Sequence, residues 1–386
     1  MDLNLTEEQS ILRDSLSNFL SETYSFEKRR PRLTGEADDA AIWRSLAVDL
    51  GILGASFDEA HGGLGGTAVD TMIIMEQLGR NLVLEPFLET VVLAGGVLRR
   101  SSAASAGEFI ERIIAGDLRA TLAFAEPQAR YAWRDVATSA SKRGAGYVLN
   151  GHKAVVVGAP EADLLIVSAR TGGERRDRRG ISLFAVDKAA KGLELRTYRT
   201  IDGKRAAEVY LEDVAVDAGA LLTPEGEGYP LLEQVIDEGT AAICAEASGV
   251  LRRLLDDTVE YTKQRKQFGV PIGSFQALQH RMVDMLIQVE QATSISLMAT
   301  LELGGPDRAK AVSAAKAQVG GACRFVGHNA IQLHGGMGIT DELAVSHFFK
   351  RATVIEAQFG STDHHLARYE RLALPVRQGA AAAVAA

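Results

Sequence analysis

An unbroken helical pattern of more than 30 residues, from Tyr229 to Gln264, constrains the fold more than any other feature. Apolar residues recur along it at helical spacing and mark a buried stripe: Leu251, Leu254, Leu255 and Val259. Further helical patterns follow at about 275–302, 306–332, 341–358 and 361–373. Long helices joined by short loops pack side by side, so the C-terminal part is predicted to be an antiparallel bundle.

The chain before this bundle shows two different sequence patterns, one helical and one rich in β-strands. The first 115 or so residues show a capping box at Thr6–Gln9 and then helical patterns: Ala40–Leu50, Val69–Leu78, Phe87–Arg99 and Ala106–Ile114. From about Ala120 to Leu222, short β-rich runs such as "DLLIVSAR" and "GISLFAVD" alternate with turn residues. No helix of ten or more residues separates these runs, which favours an antiparallel β domain over βαβ units.

The predicted class is therefore α+β with three domains in the order α, β, α. We expect an N-terminal α-helical domain at 1–118, a middle antiparallel β domain at 119–225 and a C-terminal four-helix bundle at 226–378. The alanine-rich end, 379–386, is expected to be a disordered tail.

Composition excludes several functions. The formal net charge of -8 disfavours nucleic acid as a partner, and no apolar stretch is long enough to predict a membrane span. The two cysteines, Cys244 and Cys323, are too far apart in sequence to indicate a thiolate metal site or a disulfide framework. These features, with an acidic N-terminus, fit a cytoplasmic protein.

Common catalytic motifs are missing from the sequence. There is no G-x-G-x-x-G, H-E-x-x-H or G-x-S-x-G, and "DGKR" at 202–205 lacks the rest of a phosphate-binding loop. The adjacent His364 and His365 would point about 100° apart on a helix, so no metal site is expected. Arg308, Lys310 and Lys316 are most simply the solvated face of their helix.

Two loops at helix ends suggest a ligand instead. In "RKQFGVPIGSFQ", Arg265 can fork onto a phosphate and Phe268 offers a flat apolar face, while Gln276 begins the next helix. In "QLHGGMG", Gly335 and Gly336 let backbone amides approach a ligand closely. Either loop alone is more simply a helix connector, but the two together favour a pyrophosphate-containing cofactor.

At these motifs, and along its whole length from "LTEEQ" to "GSTDHHLARY", the sequence resembles the acyl-CoA dehydrogenase flavoproteins. The resemblance implies FAD, an acyl-CoA substrate oxidised to the trans-2-enoyl-CoA, and assembly as a dimer or dimer of dimers. It also implies an electron-transfer flavoprotein as electron acceptor. In this family the two loops reach the FAD of the neighbouring subunit, which assigns that role to Arg265, Phe268, Gln276, Gln332, Leu333, His334, Gly335 and Gly336.

The catalytic base of the family is missing at both of its usual positions. Most members carry a glutamate near the C-terminus, where this chain has Phe359. A minority carry it on the first bundle helix, where this chain has Gly239. The neighbouring Glu238 is a weak candidate, because one residue along a helix is a rotation of about 100°.

The seat of the flavin ring also departs from the family. Its Thr-Glu-Pro motif reads Ala125-Glu126-Pro127 here, and its Trp-Ile-Thr reads Val155-Val156-Val157. Valine offers no hydrogen bond to flavin N5. Of the family's aspartate and arginine near the substrate, the chain keeps Asp237 but has Thr240.

Three hypotheses follow. The first is a base-lacking small subunit that completes the FAD site of a larger, base-carrying acyl-CoA dehydrogenase chain. The second is a homo-oligomer with a relocated base, with Glu238 as first candidate, followed by Asp237, Glu246 and Glu356. The third is a non-catalytic interaction protein that binds flavin or acyl-CoA. The length and shape of the acyl group cannot be derived from the sequence.

Overall fold

The computed structural model describes residues 4–34 and 39–374, and the predicted tail at 379–386 lies outside this range. The N-terminal part is helical, and α1 begins with the predicted capping box between Thr6 and Gln9. Its helices are α1 (Glu7–Thr23), α2 (Phe26–Thr34), α3 (Asp39–Val48), α4 (Ala68–Arg80), a π-helix (Leu88–Ala94) that continues into α5 (Gly95–Leu98), and α6 (Ser105–Ile114).

The middle part is a seven-stranded sheet. Its strands are β1 (Ala120–Ala123), β2 (Ser139–Arg143), β3 (Gly146–Val157), β4 (Leu164–Arg170), β5 (Ile181–Asp187), β6 (Leu193–Arg199) and β7 (Arg205–Asp217). Most pairs are antiparallel as predicted, but β4 pairs in parallel with β1 and, at one residue, with β2. The sequence pattern missed β2, because its segment "SASKR" has only one buried residue.

The C-terminal part is the predicted helical bundle. Its elements are α7 (Tyr229–Gln264), the short strands β8 (Lys266–Gln267) and β9 (Val270–Pro271), α8 (Gln276–Leu301), α9 (Arg308–His334), α10 (Ala344–Ala357) and α11 (Thr362–Ala373). Helix α7 is buried over most of its length, because α4, α8, α9 and α10 all pack on it.

The N-terminal helices and the bundle share one core, and two glycines set its closest approach. A Cβ atom on Gly79 of α4 would lie 2.1 Å from the carbonyl oxygen of Glu246, and one on Gly249 of α7 would lie 2.0 Å from that of Glu76. Backbones this close leave no room for any side chain at either position. Helices α4 and α7 are therefore tightly joined.

The structure buries or pairs several charged residues that the sequence analysis overlooked or placed in solvent. Helix α2 was not predicted because it is rich in charge and contains Pro31, yet Arg29 is buried and donates to the carbonyl oxygens of Leu82 and Asp202. Lys316 was expected on a solvated face, but it is fully buried. Arg308 likewise pairs with Asp237 at 3.2 Å. In each case a buried partner satisfies the charge, which helical spacing does not reveal.

Candidate functional site

The first of the two loops forms a small exposed hairpin after α7. Arg265 ends the helix in an extended conformation, and β8 pairs with β9 so that Phe268 and Gly269 form the tip. Both tip residues have positive φ, 55° and 81°. Phe268 is 92% exposed, and its ring lies edge to face with that of Phe275, at 6.2 Å between centroids. An aromatic ring held outward in this way is available to a ligand or another chain.

The second loop lies at the same end of the bundle. The ring of His334 stacks on Tyr261 of α7 at 4.2 Å, and the Tyr261 hydroxyl donates to the His334 carbonyl oxygen. Gln332 is exposed, whereas the side chains of Leu333 and His334 are buried, so a ligand here would meet the backbone of these two residues.

Two glycines of this second loop, Gly335 and Gly336, are exposed, whereas Gly338 is buried. A Cβ atom on Gly335 or Gly336 would meet nothing within 4 Å. Tyr261 lies in the last turn of α7, just before Arg265, and its ring contacts His334, the residue before Gly335. The structure therefore brings the two predicted loops together at one end of the bundle.

A separate cleft of about 540 Å³ lies between the sheet, the π-helix and α10. Its walls are largely apolar, and its volume is typical of a small-molecule site. The residues predicted to seat the flavin ring all line it: Ala125, Glu126, Pro127, Val155, Val156 and Val157. A slot with two apolar walls suits a planar heterocycle, so these residues fit the ring of FAD.

The two usual positions of the base lie side by side: Phe359 lines this cleft, and Gly239 lies against Phe359 and Leu93. Phe359 follows α10, has a φ of 60° and is 7% exposed. A Cβ atom on Gly239 would lie 3.5 Å from Cε2 of Phe359 and 2.5 Å from Cδ2 of Leu93. The Phe359 ring stacks on Phe124 at 6.3 Å between centroids. Aromatic and aliphatic side chains thus fill the space between the two positions at which the family carries its base.

Buried interactions hold Phe359 in this place. The ammonium group of Lys316 donates to the carbonyl oxygens of Glu356 and Gly360, at 2.9 and 2.6 Å. Burial lowers the pKa of Lys316. The Nε2 atom of His365 hydrogen-bonds the Phe359 carbonyl oxygen at 3.2 Å. Lys316 and His365 therefore hold the loop from both sides. The sequence analysis had placed Lys316 in solvent and had given His365 no role.

The valines of β3 border the cleft differently from one another. Val155 lies at a β-bulge with a φ of 51° and is 56% exposed, whereas Val156 is buried. The carbonyl oxygen of Val157 accepts a hydrogen bond from the Thr121 hydroxyl at 2.8 Å. Below them, Lys153 donates to Glu126 at 2.6 Å, so the charge of Glu126 is neutralised inside the sheet.

Five charged residues that sequence analysis missed line the same cleft: Glu89, Arg130, Asp202, Lys204 and Arg351. Arg351 pairs with Asp202 and Glu246, and Lys204 lies 3.3 Å from Glu89. The Oε2 atom of Glu89 is buried without a hydrogen-bond partner among the described residues. The segment "DGKR", which does not form a phosphate-binding loop, contributes two of the five. No motif marked Glu89, although its π-helix is a conformation frequent at functional sites.

None of the four carboxylates considered as a relocated base lines the cleft. Glu238 accepts hydrogen bonds from both Arg99 and Arg100, on the other side of the π-helix. Its pairing and position argue against a role as the base.

The other three carboxylates are also engaged. Asp237 pairs with Arg308 and Arg368, and Glu356 accepts from the Thr362 amide at 3.1 Å. Burial raises the pKa of Glu246, but Arg351 more than offsets this, so it lies below its ordinary value.

Comparisons with known proteins agree with this architecture. The chain matches the models of the acyl-CoA dehydrogenase N-terminal domain at residues 6–117, middle domain at 121–214 and C-terminal domain at 226–373. The probable acyl-CoA dehydrogenase YngJ of Bacillus subtilis is 28% identical over 370 residues, covering 94% of this chain and 97% of that protein.

Solved structures show the same fold. The ChsE4-ChsE5 complex of Mycobacterium tuberculosis matches with a TM-score of 0.88 and 27% identity, over 97% of this chain and 100% of that chain. The FAD complex of PigA matches with a TM-score of 0.89 and 25% identity, over 96% of this chain and 99% of that chain.

Fold and cleft together define a three-domain flavoprotein oxidoreductase. The chain belongs to the acyl-CoA dehydrogenase family, whose cofactor is FAD and whose substrates are acyl-CoA thioesters. Within residues 4–34 and 39–374, no helix is long and apolar enough to cross a membrane. The same residues contain no cluster of histidine, cysteine, aspartate and glutamate suited to a metal ion.

Proposed function

We propose that this chain is the base-lacking subunit of a heteromeric acyl-CoA dehydrogenase, and that it completes the FAD site of a larger, base-carrying chain. The observation that carries the proposal is that Gly239 and Phe359 lie side by side and neither supplies a carboxylate. The carboxylates that do line the cleft, Glu89, Glu126 and Asp202, are each paired with a cation. α,β-Dehydrogenation requires removal of an α proton while flavin accepts the β hydride. A positioned general base contributes on the order of 10²–10⁴-fold in rate, so its loss is not a minor change.

The ring seat of this chain is weakened as well. Val157 stands where the family has a threonine whose hydroxyl bonds flavin N5, and a hydrogen bond of this kind is worth roughly 0.5–1.5 kcal/mol. By contrast, the residues that serve a neighbour's FAD remain: Arg265, Phe268, Gln276 and the Gln332–Gly336 loop. The cofactor-binding residues that this chain retains are thus those that would contact the FAD of another chain.

The surface beside these residues supports assembly with another chain. Helix α8 exposes Val283, Leu286 and Ile287 to 52, 39 and 46%. They recur at i, i+3 and i+4, which places them on one helix face. An apolar stripe next to an exposed aromatic tip is typical of a protein interface.

Two likenesses favour a partner of a different sequence. The similar structure from Mycobacterium tuberculosis is a complex of two named chains, ChsE4 and ChsE5. The motifs "RKQFGVPIG", "QHR" and "DHHLAR" resemble the small subunit of pimeloyl-CoA dehydrogenase. By that resemblance we propose a dicarboxylyl thioester as substrate and an electron-transfer flavoprotein as electron acceptor.

Co-expression with larger, base-carrying acyl-CoA dehydrogenase chains of the same organism tests the proposal. We expect the two chains to co-purify with one FAD per pair, and the pair to oxidise an acyl-CoA that this chain alone does not. Phe268→Ser and Arg265→Gln should each lower the FAD content of the pair. Lys266→Gln, an exposed change on the same hairpin, serves as the matched control and should leave the FAD content unchanged.

Ordinary turnover by this chain alone, or two reducible flavins per pair, would contradict the proposal. The first result would favour the homo-oligomer with a relocated base. A third result, no turnover in any combination and no bleaching of the flavin by acyl-CoA, would favour the non-catalytic interaction protein.

A further inference from the structure

A second cavity, of about 270 Å³, lies between the start of α4, the π-helix, the first turns of α7 and the end of α8. It shares no lining residue with the flavin cleft. The π-helix separates the two, since Val92 lines the second cavity and the adjacent Leu93 lines the flavin cleft. The volume lies just below that of sites for drug-sized ligands, so it suits a smaller molecule.

Two consecutive arginines hold one carboxylate in this cavity. Arg99 donates to Glu238 at 2.6 Å, and Arg100 donates to both oxygens of the same carboxylate, at 2.5 and 3.2 Å. Among the residues that the structure describes, Glu238 is the only acidic one in the lining, which leaves one positive charge in surplus. The net charge of the whole chain is -8, so this surplus is local and favours an anionic ligand.

Neighbouring groups do not neutralise the surplus. Burial and the adjacent Arg99 lower the pKa of Arg100, and Glu238 offsets this only in part. The carboxylate of Asp70, at the start of α4, accepts from the Thr67 amide and hydroxyl at 2.7 and 2.8 Å and does not line the cavity. A second carboxylate beside Glu238 would therefore stabilise the two guanidinium groups.

The arginines are accessible, and hydroxyl groups without a partner lie in the same lining. The side chains of Arg99 and Arg100 are 30 and 31% exposed. The hydroxyl groups of Ser56 and Thr71 line the cavity and hydrogen-bond no group within residues 4–34 and 39–374. Guanidinium and hydroxyl groups are the donors that a carboxylate accepts from.

Much of the remaining lining is apolar. Its apolar side chains come from four different elements or loops: Met72, Val92, Ala241, Ala242 and Leu303. Removing the hydrocarbon part of a ligand from water against such side chains is favourable. An inorganic anion would leave this part of the lining unused.

We infer that the second cavity binds a short-chain carboxylic acid in its ionised form. The carboxylate is held by Arg99 and Arg100 beside Glu238, and the alkyl chain lies against the apolar lining. The site is separate from the flavin cleft, so the inference goes beyond the proposed function and does not rest on it. The bound acid would contact the π-helix that also carries Glu89 and Leu93 of the flavin cleft.

Isothermal titration of the purified full-length chain with hexanoate tests this inference. The comparison ligand is 1-hexanol, which has the same alkyl chain without the charge. We expect hexanoate to bind at least about tenfold more tightly than 1-hexanol, because a charged hydrogen bond to arginine is lost with the alcohol.

Two variants should change the Kd of hexanoate in opposite directions. Arg100→Gln should weaken binding by about tenfold, since it removes one of the two cations. Glu238→Gln should strengthen binding by about tenfold, since it removes a like charge beside the ligand. The exposed changes Arg44→Gln on α3 and Glu260→Gln on α7 alter the net charge equally and should leave the Kd unchanged.

Loss of folding in a variant cannot produce the tighter binding expected of Glu238→Gln. No binding of hexanoate, equal binding of 1-hexanol, an unchanged Kd in Arg100→Gln or weaker binding by Glu238→Gln would each overturn the inference. None of these titrations involves FAD, turnover or a partner chain. Their failure would therefore leave the proposed function untouched.

Discussion

Arg351 joins the helical bundle to the sheet at the edge of the flavin cleft. Its side chain, buried in α10, donates to both carboxylate oxygens of Glu246 on α7, at 2.6 and 2.7 Å. It also donates to Asp202, which follows β6, at 2.7 Å. We predict that Arg351→Met destabilises the protein severely, because it leaves two buried carboxylates facing each other.

The expected loss can be estimated from the burial of these groups. The side chains of Arg351, Asp202 and Glu246 are only 4, 1 and 6% exposed. Removing one partner of a buried ion pair costs about 3–5 kcal/mol. Arg351 pairs with two carboxylates, but the Thr200 hydroxyl still donates a hydrogen bond to Asp202. We therefore expect a loss within this range rather than twice as large. This is a large share of the 5–15 kcal/mol that typically stabilises a folded protein.

Urea unfolding followed by circular dichroism measures the loss. Arg253→Met is the matched control, since Arg253 pairs with Asp257 at a half-exposed i,i+4 position of α7 and should cost under about 1 kcal/mol. Combining Arg351→Met with Glu246→Gln and Asp202→Asn should recover much of the stability. A loss below about 1 kcal/mol for Arg351→Met alone would refute the reasoning.

The pH dependence of this effect has a definite sign. Burial and Arg351 together leave the pKa of Glu246 below its ordinary value. The carboxylate therefore stabilises the fold above its unfolded pKa, and this contribution is lost as pH falls through the folded pKa. The difference between wild type and Arg351→Met should shrink in acid.

Three further predictions concern His365, Gly79 and Glu238. The folded pKa of His365, about 3, lies below its ordinary 6.5. The free energy of unfolding should therefore fall as pH drops from 6.5 towards 3, by at most about 1.4 kcal/mol per pH unit. The free energy of unfolding of His365→Gln should vary less over that window. Gly79→Ala places Cβ 2.1 Å from a backbone oxygen of α7 and should cost roughly 1–3 kcal/mol in urea unfolding, and an unchanged midpoint would disprove this tight helix contact. Glu238→Gln should leave turnover of the assembled enzyme unchanged, whereas a fall on the order of 10²-fold would identify Glu238 as the base.

The order of the domains and the position of most elements could be predicted from local sequence patterns. Helical spacing in α7 and the punctuated β-rich runs are local patterns that follow from burial of one face of each element. The two loops with Arg265 and Gly335 could likewise be recognised as candidate ligand sites, because an arginine, an exposed aromatic residue and glycines lie at helix ends. The departures at Phe359 and Gly239 could be read only through the likeness to a family.

Which charged residues are buried, and which surfaces meet, depends on contacts between segments far apart in sequence. Lys316 and Arg308 occupy helical positions that local spacing assigns to solvent, yet their partners come from distant segments. The proximity of Gly239 and Phe359, and the pairing of Arg100 with Glu238, join residues more than 100 positions apart. Spacing along a chain reports the faces of single elements, whereas a site is made by faces of different elements that the fold brings together.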